Sequence, residues 1–238
     1  MSVSFFAAGD TALVVELEAE ISFDVNARVR ALEPRLSQEA VAGILETVPS
    51  FRSLLLYYDP RLTDYPTLCE KIAAIVPGAI AASLPAPRCI ELPCCYDDPE
   101  LGFELVAAAD RLGMQSAQLV EWHSADVYVV YFLGFAPGQP YMRGMSDRLA
   151  IPRLTTPRTK TPAGSVGIGG VQCCIYSVQS PGGFWVLGRT PVRIFDPGAA
   201  APILLRPGDH VRFRRIDRHE YDRIAGQVEG GTYRPTVR

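Results

Sequence analysis

The chain has 238 residues, of which 48% are hydrophobic and 21% charged, so a packed core is feasible and bulk disorder is excluded. The formal net charge of −3 argues against a nucleic-acid-binding protein, which would carry a strong basic excess. No apolar run reaches the roughly 18 residues of a membrane-spanning helix, and the N-terminus lacks the basic and apolar regions of a signal peptide. We therefore expect a cytoplasmic protein with two domains, or with one β-rich domain and an appendage.

The first 84 residues are expected to form an α+β domain. Ser22 is a candidate N-cap for a helix over 22–33 that Pro34 should end, and a second helix over 65–76 should end before Pro77. Apolar runs bounded by turn residues predict the strands of this domain. These strands are expected at 3–7, 12–17, 41–48, 53–58 and either 79–84 or 89–93. From the second strand onward, the order of elements is the split βαβ arrangement of ferredoxin-like domains.

The second domain is expected to span residues 85–238, after a linker at 84–88 whose two prolines favour an extended spacer. It opens with a strand, two short helices and a strongly β-prone run. Those elements are expected at 89–96, 99–112, 116–124 and 125–133. Residues 134–198 then hold 11 Gly and 8 Pro among short apolar runs, a pattern typical of a β-barrel or a sandwich. The polar tail after Tyr221 is expected to fray.

The cysteines and histidines give no sign of disulfides or of a metal site. Four of the six cysteines form two adjacent pairs, which are poor disulfide partners, and no C-x-x-C motif occurs. The three histidines are not spaced, relative to each other or to the cysteines, as zinc ligands usually are. We therefore predict reduced, buried thiols and no metal ion. The cysteines are Cys69, Cys89, Cys94, Cys95, Cys173 and Cys174.

Three segments of the second domain carry groups suited to binding an anion. Residues 134–141 form a rigid Gly/Pro loop of the kind that often carries a site, although a barrel corner would use the same residue types. Residues 143–160 hold five basic side chains and one acidic one; they suit carboxylate or phosphate capture, with a solvated loop or a subunit interface as the alternative. Residues 162–170 are Gly-rich and could form a backbone anion nest. Ser165 in this segment is a candidate nucleophile, with a hydroxyl that only satisfies a turn as the alternative.

Two further residues are candidates for chemistry. Arg189 lies between Gly188 and Thr190 at a strand end, where it could point into a cleft. His123 lies near a helix end and is a candidate general acid or base, with a capping or buried histidine as the alternative.

Several motifs occur in one order along nearly the whole chain. They are G-D-T-A-L at 9–13, P-S-F-R-S-L-L-L-Y-Y-D-P at 49–60, L-G-F-A-P-G-Q-P-Y at 133–141, T-P-R at 156–158, P-A-G-S-V-G at 162–167, S-P-G-G at 180–183 and L-G-R-T-P-V-R-I-F-D-P at 187–197. Together they resemble the KipI family, whose members are also called the B subunit of 5-oxoprolinase or allophanate hydrolase subunit 1. The chain departs from that family's pattern at Gln139, where an aromatic residue is usual, and at Cys173 and Cys174, which replace Thr-Gly.

The resemblance implies a ferredoxin-like N-terminal domain and a cyclophilin-like β-barrel C-terminal domain. It also implies a subunit that is inactive alone and shares its site with a homologous KipA/PxpC-type subunit. With a third, LamB/YcsF-type subunit, the complex would use ATP, bound with Mg²⁺, to open 5-oxoproline to L-glutamate. The alternatives that the resemblance leaves open are a carboxyltransferase component acting on urea or a related amide, and a KipI-like histidine kinase inhibitor.

Opening a lactam requires cationic clamps and hydrogen-bond donors where negative charge develops. Arg153, Arg158 and Arg189 could supply the clamps, the backbone of 164–170 the donors, and Gln172 and Tyr176 hydrogen bonds to an amide. The candidate catalytic residues are therefore His123, Arg158 and Arg189. The candidate substrate-binding residues are Tyr141, Arg153, Gly164, Ser165, Gly167, Gln172 and Tyr176.

Overall fold

Two units, Met1–Ala86 and Pro87–Arg238, each enclose a hydrophobic core of their own. The computed structural model describes residues 3–81 and 84–238. None of the helices in these two ranges combines the length and the apolar character needed to cross a bilayer.

The first unit is a four-strand antiparallel sheet with two helices. Its elements are β1 (Val3–Ala7), β2 (Ala12–Leu17), α1 (Phe23–Gln38), β3 (Ile44–Pro49), β4 (Ser53–Tyr58) and α2 (Tyr65–Ala81). The strands lie in the order β1-β2-β4-β3. Alternate residues of β2, such as Leu13 and Val15, are fully buried with Leu54 and Leu56 of β4, as expected for a sheet with one covered face.

Both helices of this unit continue through the prolines that were expected to end them. Ser22 caps α1 as predicted, since its side chain accepts a hydrogen bond from Val25 N at 3.2 Å. Pro34 lies inside α1 and Pro77 inside α2. A proline removes one backbone donor, and here later residues are buried in the core: Leu36 is 3% exposed and Ala79 is fully buried. This burial favours the longer helices.

Among the residues that the structure describes, the last strand that the ferredoxin-like order requires is not in this sheet; residues 82 and 83 of the expected strand 79–84 lie outside the described residues. Residues 79–81 belong to α2, and Cys89–Cys95 is a strand of the second unit. The edge beside β2 is taken instead by β1, which forms a hairpin with it in the register Val3↔Leu17 to Ala7↔Leu13. Within the described residues, the order is therefore β-α-β-β-α preceded by an edge strand.

The second unit is a closed β-barrel with helices and a small additional sheet. Its elements are β5 (Cys89–Cys95), α3 (Leu105–Leu112), α4 (Ser116–Ala125), β6 (Tyr128–Leu133), β7 (Pro140–Arg143), β8 (Arg158–Thr161), β9 (Ser165–Gly169), β10 (Gln172–Ile175), β11 (Ser180–Gly182), β12 (Trp185–Arg189), β13 (His210–Ile216), α5 (Arg218–Glu229) and β14 (Thr236–Val237). Gly113 ends α3 with a left-handed φ of 68°, in agreement with its predicted role as a stop signal.

Seven strands close the barrel in the order β12-β9-β10-β7-β6-β13-β5, and the Arg189↔Cys95 pairing joins its two edges. An odd number of strands cannot alternate in direction around a ring, so one neighbouring pair must be parallel. That pair is β5 and β13. The tail expected to fray is ordered instead: it forms α5, whose Ile224 is buried, and β14, which pairs with β5.

Candidate functional site

A cavity lies against the outer face of barrel strands β7, β9 and β10. Along β9 and β10, Val166, Ile168, Cys173 and Ile175 pack into the barrel core. The residues between them point outward because side chains alternate along a strand. Those outward residues include Cys174 and Tyr176, which pack with Phe184 and Tyr141 in a separate cluster.

The small sheet of β8 and β11 supplies part of the facing wall of a space of about 240 Å³ that opens to solvent, the first cavity. This volume lies slightly below the roughly 300–1,000 Å³ that is usual for ligand pockets, so the space suits a small molecule. Its lining residues are Phe135, Gln139, Tyr141, Arg153, Pro157, Tyr176, Pro181, Gly182, Gly183 and Phe184.

The Gly-rich strand β9 provides room beneath this wall. A Cβ at Gly169 would lie 2.9 Å from Arg153 Cγ, and one at Gly167 would lie 3.1 Å from Phe184 Cβ. β9 pairs with β10 on one side and β12 on the other, so its backbone amides are used within the sheet. The predicted anion nest over 162–170 is therefore replaced by close packing: the glycines, including Gly167, admit Phe184 and Arg153.

Arg153 is the cation of the first cavity. Its guanidinium carbon lies 4.3 Å from the centre of the Phe184 ring, and Nη2 donates to Gln172 Oε1 at 3.2 Å. Arg153 and Gln172, both candidate substrate-binding residues, thus lie together. In the described part of the chain no carboxylate pairs with Arg153, so its remaining donors are open to an anionic ligand.

Two phenols lie on the floor of the cavity. Burial raises the pKa of Tyr176 to about 12 and also raises that of Tyr141. Both side chains are therefore neutral hydrogen-bond donors near neutral pH. A hydrogen bond with the Gln139 side chain partly opposes this rise in the pKa of Tyr141.

Gln139 is a site residue that the sequence reasoning did not propose. It is 1% exposed, and its Oε1 has no hydrogen-bond partner among the described residues. The signal that could have found it is its place between Gly138 and Pro140 in the rigid loop, where it departs from the family motif.

Arg158 holds the cavity wall from behind and does not line the cavity. It forms an ion pair with Glu104, and its Nη2 donates to the Phe184 carbonyl at 2.6 Å. Glu104 in turn accepts a hydrogen bond from Val186 N at 2.7 Å. Arg158 is therefore a positioning residue for Phe184, and the expected direct catalytic role does not fit this geometry.

Arg189, Gly164 and Ser165 lie away from the first cavity. Gly164 and Thr190 line a second cavity of about 220 Å³. Arg189 packs against Gly164, hydrogen-bonds Tyr221, and has a buried Nε with no partner among the described residues. Ser165 is fully buried. These three candidates therefore do not meet Arg153 and the two phenols.

His123 lies in the barrel core and has no route to a ligand. It is fully buried, Nδ1 lies 2.9 Å from the Tyr96 hydroxyl, and Nε2 lies 3.6 Å from Cys173 Sγ. Burial lowers its pKa to about 3, so the ring is neutral at physiological pH. The expected role as general acid or base is therefore replaced by that of a buried core histidine.

The cysteines are free: four are buried and two half-buried. The residues that the structure describes contain no cluster of three or more histidine, cysteine or carboxylate side chains able to hold a metal ion.

Comparison with known proteins places this barrel and its neighbouring unit in one family. The carboxyltransferase domain, subdomains C and D, matches residues 3–205. The B subunit of 5-oxoprolinase from Bacillus subtilis is 36% identical over 227 residues, which cover 90% of this chain and 92% of that protein.

Solved structures agree with this match. The structure of TTHA0988 is 34% identical with a TM-score of 0.75; the match covers 87% of this chain, which spans 40% of that longer one. Kluyveromyces lactis urea carboxylase, at 24% identity, shares the fold with a TM-score of 0.83 over 99% of this chain and 24% of its own. The chain therefore belongs to the carboxyltransferase-domain family of subdomains C and D, and within it to the group of the 5-oxoprolinase B subunits.

Proposed function

We propose that this chain is the B subunit of an ATP-dependent 5-oxoprolinase complex and that its first cavity binds 5-oxoproline, which is opened to L-glutamate. The observation that carries the proposal is the match to a 5-oxoprolinase B subunit over 90% of this chain and 92% of that relative. A correspondence of nearly full length supports a shared role, where a shared fold alone would not.

The first cavity suits a small cyclic amide that carries a carboxylate. Its walls include the rings of Phe184 and Phe135, which would contact the apolar edge of the ring. Arg153 would pair with the carboxylate. The neutral hydroxyl of Tyr141 would donate to the lactam oxygen, where negative charge develops as the amide is opened.

The cavity is only part of a catalytic site. Among the described residues that line it there is no carboxylate, histidine, cysteine or lysine, and its two tyrosines stay neutral at pH 7 because burial raises their pKa, so the cavity offers no ready general base or nucleophile. It offers no acidic ligands for Mg²⁺ either, and its residues do not fit a Mg²⁺-nucleotide. We assign the nucleotide and the remaining catalytic groups to two partners, one of the KipA/PxpC type and one of the LamB/YcsF type. This chain binds and orients the lactam.

Reconstitution tests this function. The chain alone should form no glutamate from 5-oxoproline, whereas mixing it with both partners should give 5-oxoproline-dependent ATP hydrolysis. In the complex, Arg153→Ala should raise KM for 5-oxoproline by about tenfold or more because the carboxylate loses a charged partner.

Arg148→Ala is the matched control, since Arg148 also lies over an aromatic ring, 4.9 Å from the centre of Trp122, but does not line the cavity. A complete complex without activity would refute the function. Turnover by the isolated chain would refute the shared site.

The likeness to urea carboxylase favours a second candidate, a carboxyltransferase component acting on urea or a related amide. A shared fold at 24% identity supports this candidate less than the match to a 5-oxoprolinase B subunit does. Carboxylation of urea by the chain together with a biotin carboxylase and its carrier, without 5-oxoproline turnover, would select the second candidate.

A further inference from the structure

The main chain on either side of Arg153 is hydrogen-bonded to neighbouring segments of the second unit. On one side, Ile151 N donates to Gly170 O at 3.1 Å, and Gly170 N donates to Ile151 O at 2.6 Å. On the other side, Leu154 N donates to Gly183 O at 2.8 Å. The fold therefore places the backbone of Arg153 before any ligand arrives.

The side chain of Arg153 lies over a position of strand β9 that has no side chain. A Cβ at Gly169 would lie 2.9 Å from Arg153 Cγ, so the arginine stem occupies the space that a larger residue would need. Gly169 pairs with Gln172 of β10, and paired residues of neighbouring strands share one face of a sheet. Gln172 is therefore the neighbour on the outer face that can reach the arginine.

Two groups contact the guanidinium of Arg153. Its central carbon lies 4.3 Å from the centre of the Phe184 ring, and Nη2 donates to Gln172 Oε1 at 3.2 Å. The ring attracts the cation but has no directional acceptor, so it does not by itself decide which N–H groups face a ligand. A hydrogen bond to one nitrogen is directional, and the bond to Gln172 makes that choice.

Gln172 is placed to act on a ligand only through Arg153. Arg153 is exposed and lines the first cavity, whereas Gln172 is not among the lining residues. The amide oxygen of Gln172 is uncharged, so it occupies one of the five guanidinium N–H donors without cancelling the positive charge. The orientation of the cation is thus fixed while its charge stays available.

We propose that Gln172 is a positioning residue, whose amide oxygen orients the Arg153 guanidinium for the carboxylate of the substrate and, being neutral, leaves its charge uncompensated. The inference rests on the proposed function and deepens it, because it names the group that directs the charge of the cavity at an anion. A glutamate in place of Gln172 would itself pair with Arg153 and compete with an anionic ligand.

The test uses the reconstituted complex and two ligands. They are 5-oxoproline, followed by its KM, and the carboxamide of 5-oxoproline, in which a neutral amide replaces the carboxylate, followed by its inhibition constant. Gln172→Glu keeps the size and the acceptor but adds a negative charge. It should raise KM for 5-oxoproline by about tenfold or more and leave the inhibition constant of the carboxamide within about twofold of the wild type.

A second variant removes the acceptor without adding charge. Gln172→Met has a side chain of similar length, and it should raise KM for 5-oxoproline by about threefold or more because the guanidinium loses the bond that orients it. In an Arg153→Ala background the same change should alter KM by less than about twofold, since the residue through which Gln172 acts is gone.

Gln118→Glu is the matched control for the added charge. Gln118 is exposed in α4 and does not line the first cavity. This variant should leave the KM for 5-oxoproline and the inhibition constant of the carboxamide unchanged. An effect equal to that of Gln172→Glu would trace the loss to net charge and overturn the proposal.

A merely structural role for Gln172 would weaken both ligands together and would persist in the Arg153→Ala background, and either result would overturn the proposal. If Gln172→Glu does not assemble with the partners, Gln172→Met with and without Arg153 still decides. A wild-type complex without 5-oxoproline turnover would defeat the proposed function and this inference together. An active wild type with an unchanged KM in both Gln172 variants would defeat the inference alone.

Discussion

The hydroxyl oxygen of Tyr176 lies so close to the backbone of Gly182 that a Cβ added there would overlap it. Strand β11 can therefore pack onto the outer face of the barrel only because Gly182 has no side chain. The same hydroxyl accepts a hydrogen bond from Phe184 N at 3.4 Å. Tyr176 thus contacts the wall of the first cavity on both sides of the turn between β11 and β12.

Gly182→Ala should displace this wall. The added methyl group overlaps the Tyr176 ring, so we expect a loss of about 1–3 kcal/mol in the free energy of unfolding and a higher KM for 5-oxoproline in the complex. Denaturant unfolding of the purified chain and steady-state kinetics measure the two effects.

Gly226→Ala is the control, because Gly226 is exposed in α5 and a Cβ there meets no atom within 4 Å. That change should leave stability unchanged or raise it by up to about 1 kcal/mol, as alanine favours helix. Equal unfolding midpoints for the two alanine variants would contradict the steric conflict at Gly182.

The ion pair of Arg158 and Glu104 should stabilise the cavity wall more than an exposed pair would. Their side chains are 19% and 16% exposed, and the guanidinium also holds the Phe184 carbonyl. Arg158→Ala leaves a largely buried carboxylate without its partner, so we expect a loss of about 2–4 kcal/mol and a lower Tm. Arg158→Lys should recover only part of the lost stability, because a lysine has no planar guanidinium to bind the Glu104 carboxylate and the Phe184 carbonyl together.

The pair of Arg193 and Asp196 provides the comparison, with side chains 50% and 41% exposed. Arg193→Ala should cost less than about 1 kcal/mol, since solvent screens such a pair. If both variants lose the same free energy of unfolding, the ion pair of Arg158 does not stabilise the cavity wall as its geometry indicates.

Local patterns predicted much of the fold because they act over a few residues. Ser22 caps α1 and Gly113 ends α3 through contacts within one turn. Pro34 was misjudged because the burial of Leu36 outweighs the one hydrogen bond that a proline removes, and that burial depends on the whole unit. The strand Cys89–Cys95 was recognised, but its partner β13 lies more than a hundred residues further along the chain, as in the Cys89↔His210 pair, and sequence pattern does not reveal it.

The same distinction applies to the candidate site. Tyr141, Arg153 and Tyr176 were predicted from Gly/Pro-rich segments, and all three line the first cavity. Arg158 was misassigned because its partner Glu104 lies 54 residues away, so the local composition gave the charge but not the ion pair. His123 was a plausible catalyst from its place near a helix end, but the closed barrel buries it completely, and local sequence does not reveal that burial.

The buried His123 should make the chain less stable in mild acid. The folded protein holds the pKa of His123 near 3 by burial, against an ordinary value of 6.5. The unfolded chain therefore binds a proton on this ring as pH falls through about 6.5, whereas the folded chain binds it only near pH 3. Because the unfolded state binds more protons between these values, the free energy of unfolding falls as pH falls through that range. From pH 7 to pH 5 we expect a loss of about 2 kcal/mol in the free energy of unfolding, measured by denaturant titration.

His123→Gln should lower stability at pH 7. It should also remove most of the dependence of the free energy of unfolding on pH between 7 and 5 (the pH slope), because glutamine does not titrate. His219 is exposed in α5, so His219→Gln should keep the wild-type slope. A slope in His123→Gln equal to that of the wild type would show that another group controls the acid response.

Phe135 should contribute to the contact with the proposed KipA/PxpC-type partner. It lines the first cavity, it is 69% exposed, and its backbone has a left-handed φ of 68°, which a non-glycine residue adopts at a cost of about 1–2 kcal/mol. Phe135→Gly relieves that conformation and removes the ring, so stability should change by no more than about 1 kcal/mol while binding of this partner weakens about tenfold or more. Calorimetric titration of the partner into each variant measures the affinity.

Leu62 is 67% exposed in the first unit, which makes Leu62→Ala a control for the loss of an exposed apolar side chain. The affinity of this variant for the KipA/PxpC-type partner should stay within about twofold of the wild type. If Phe135→Gly binds the partner with wild-type affinity, the Phe135 ring is not part of the interface. Because the glycine is expected to preserve or improve the fold, a weaker complex with an unchanged unfolding midpoint must come from the missing ring, and it would place the mouth of the first cavity at the boundary between the two proteins.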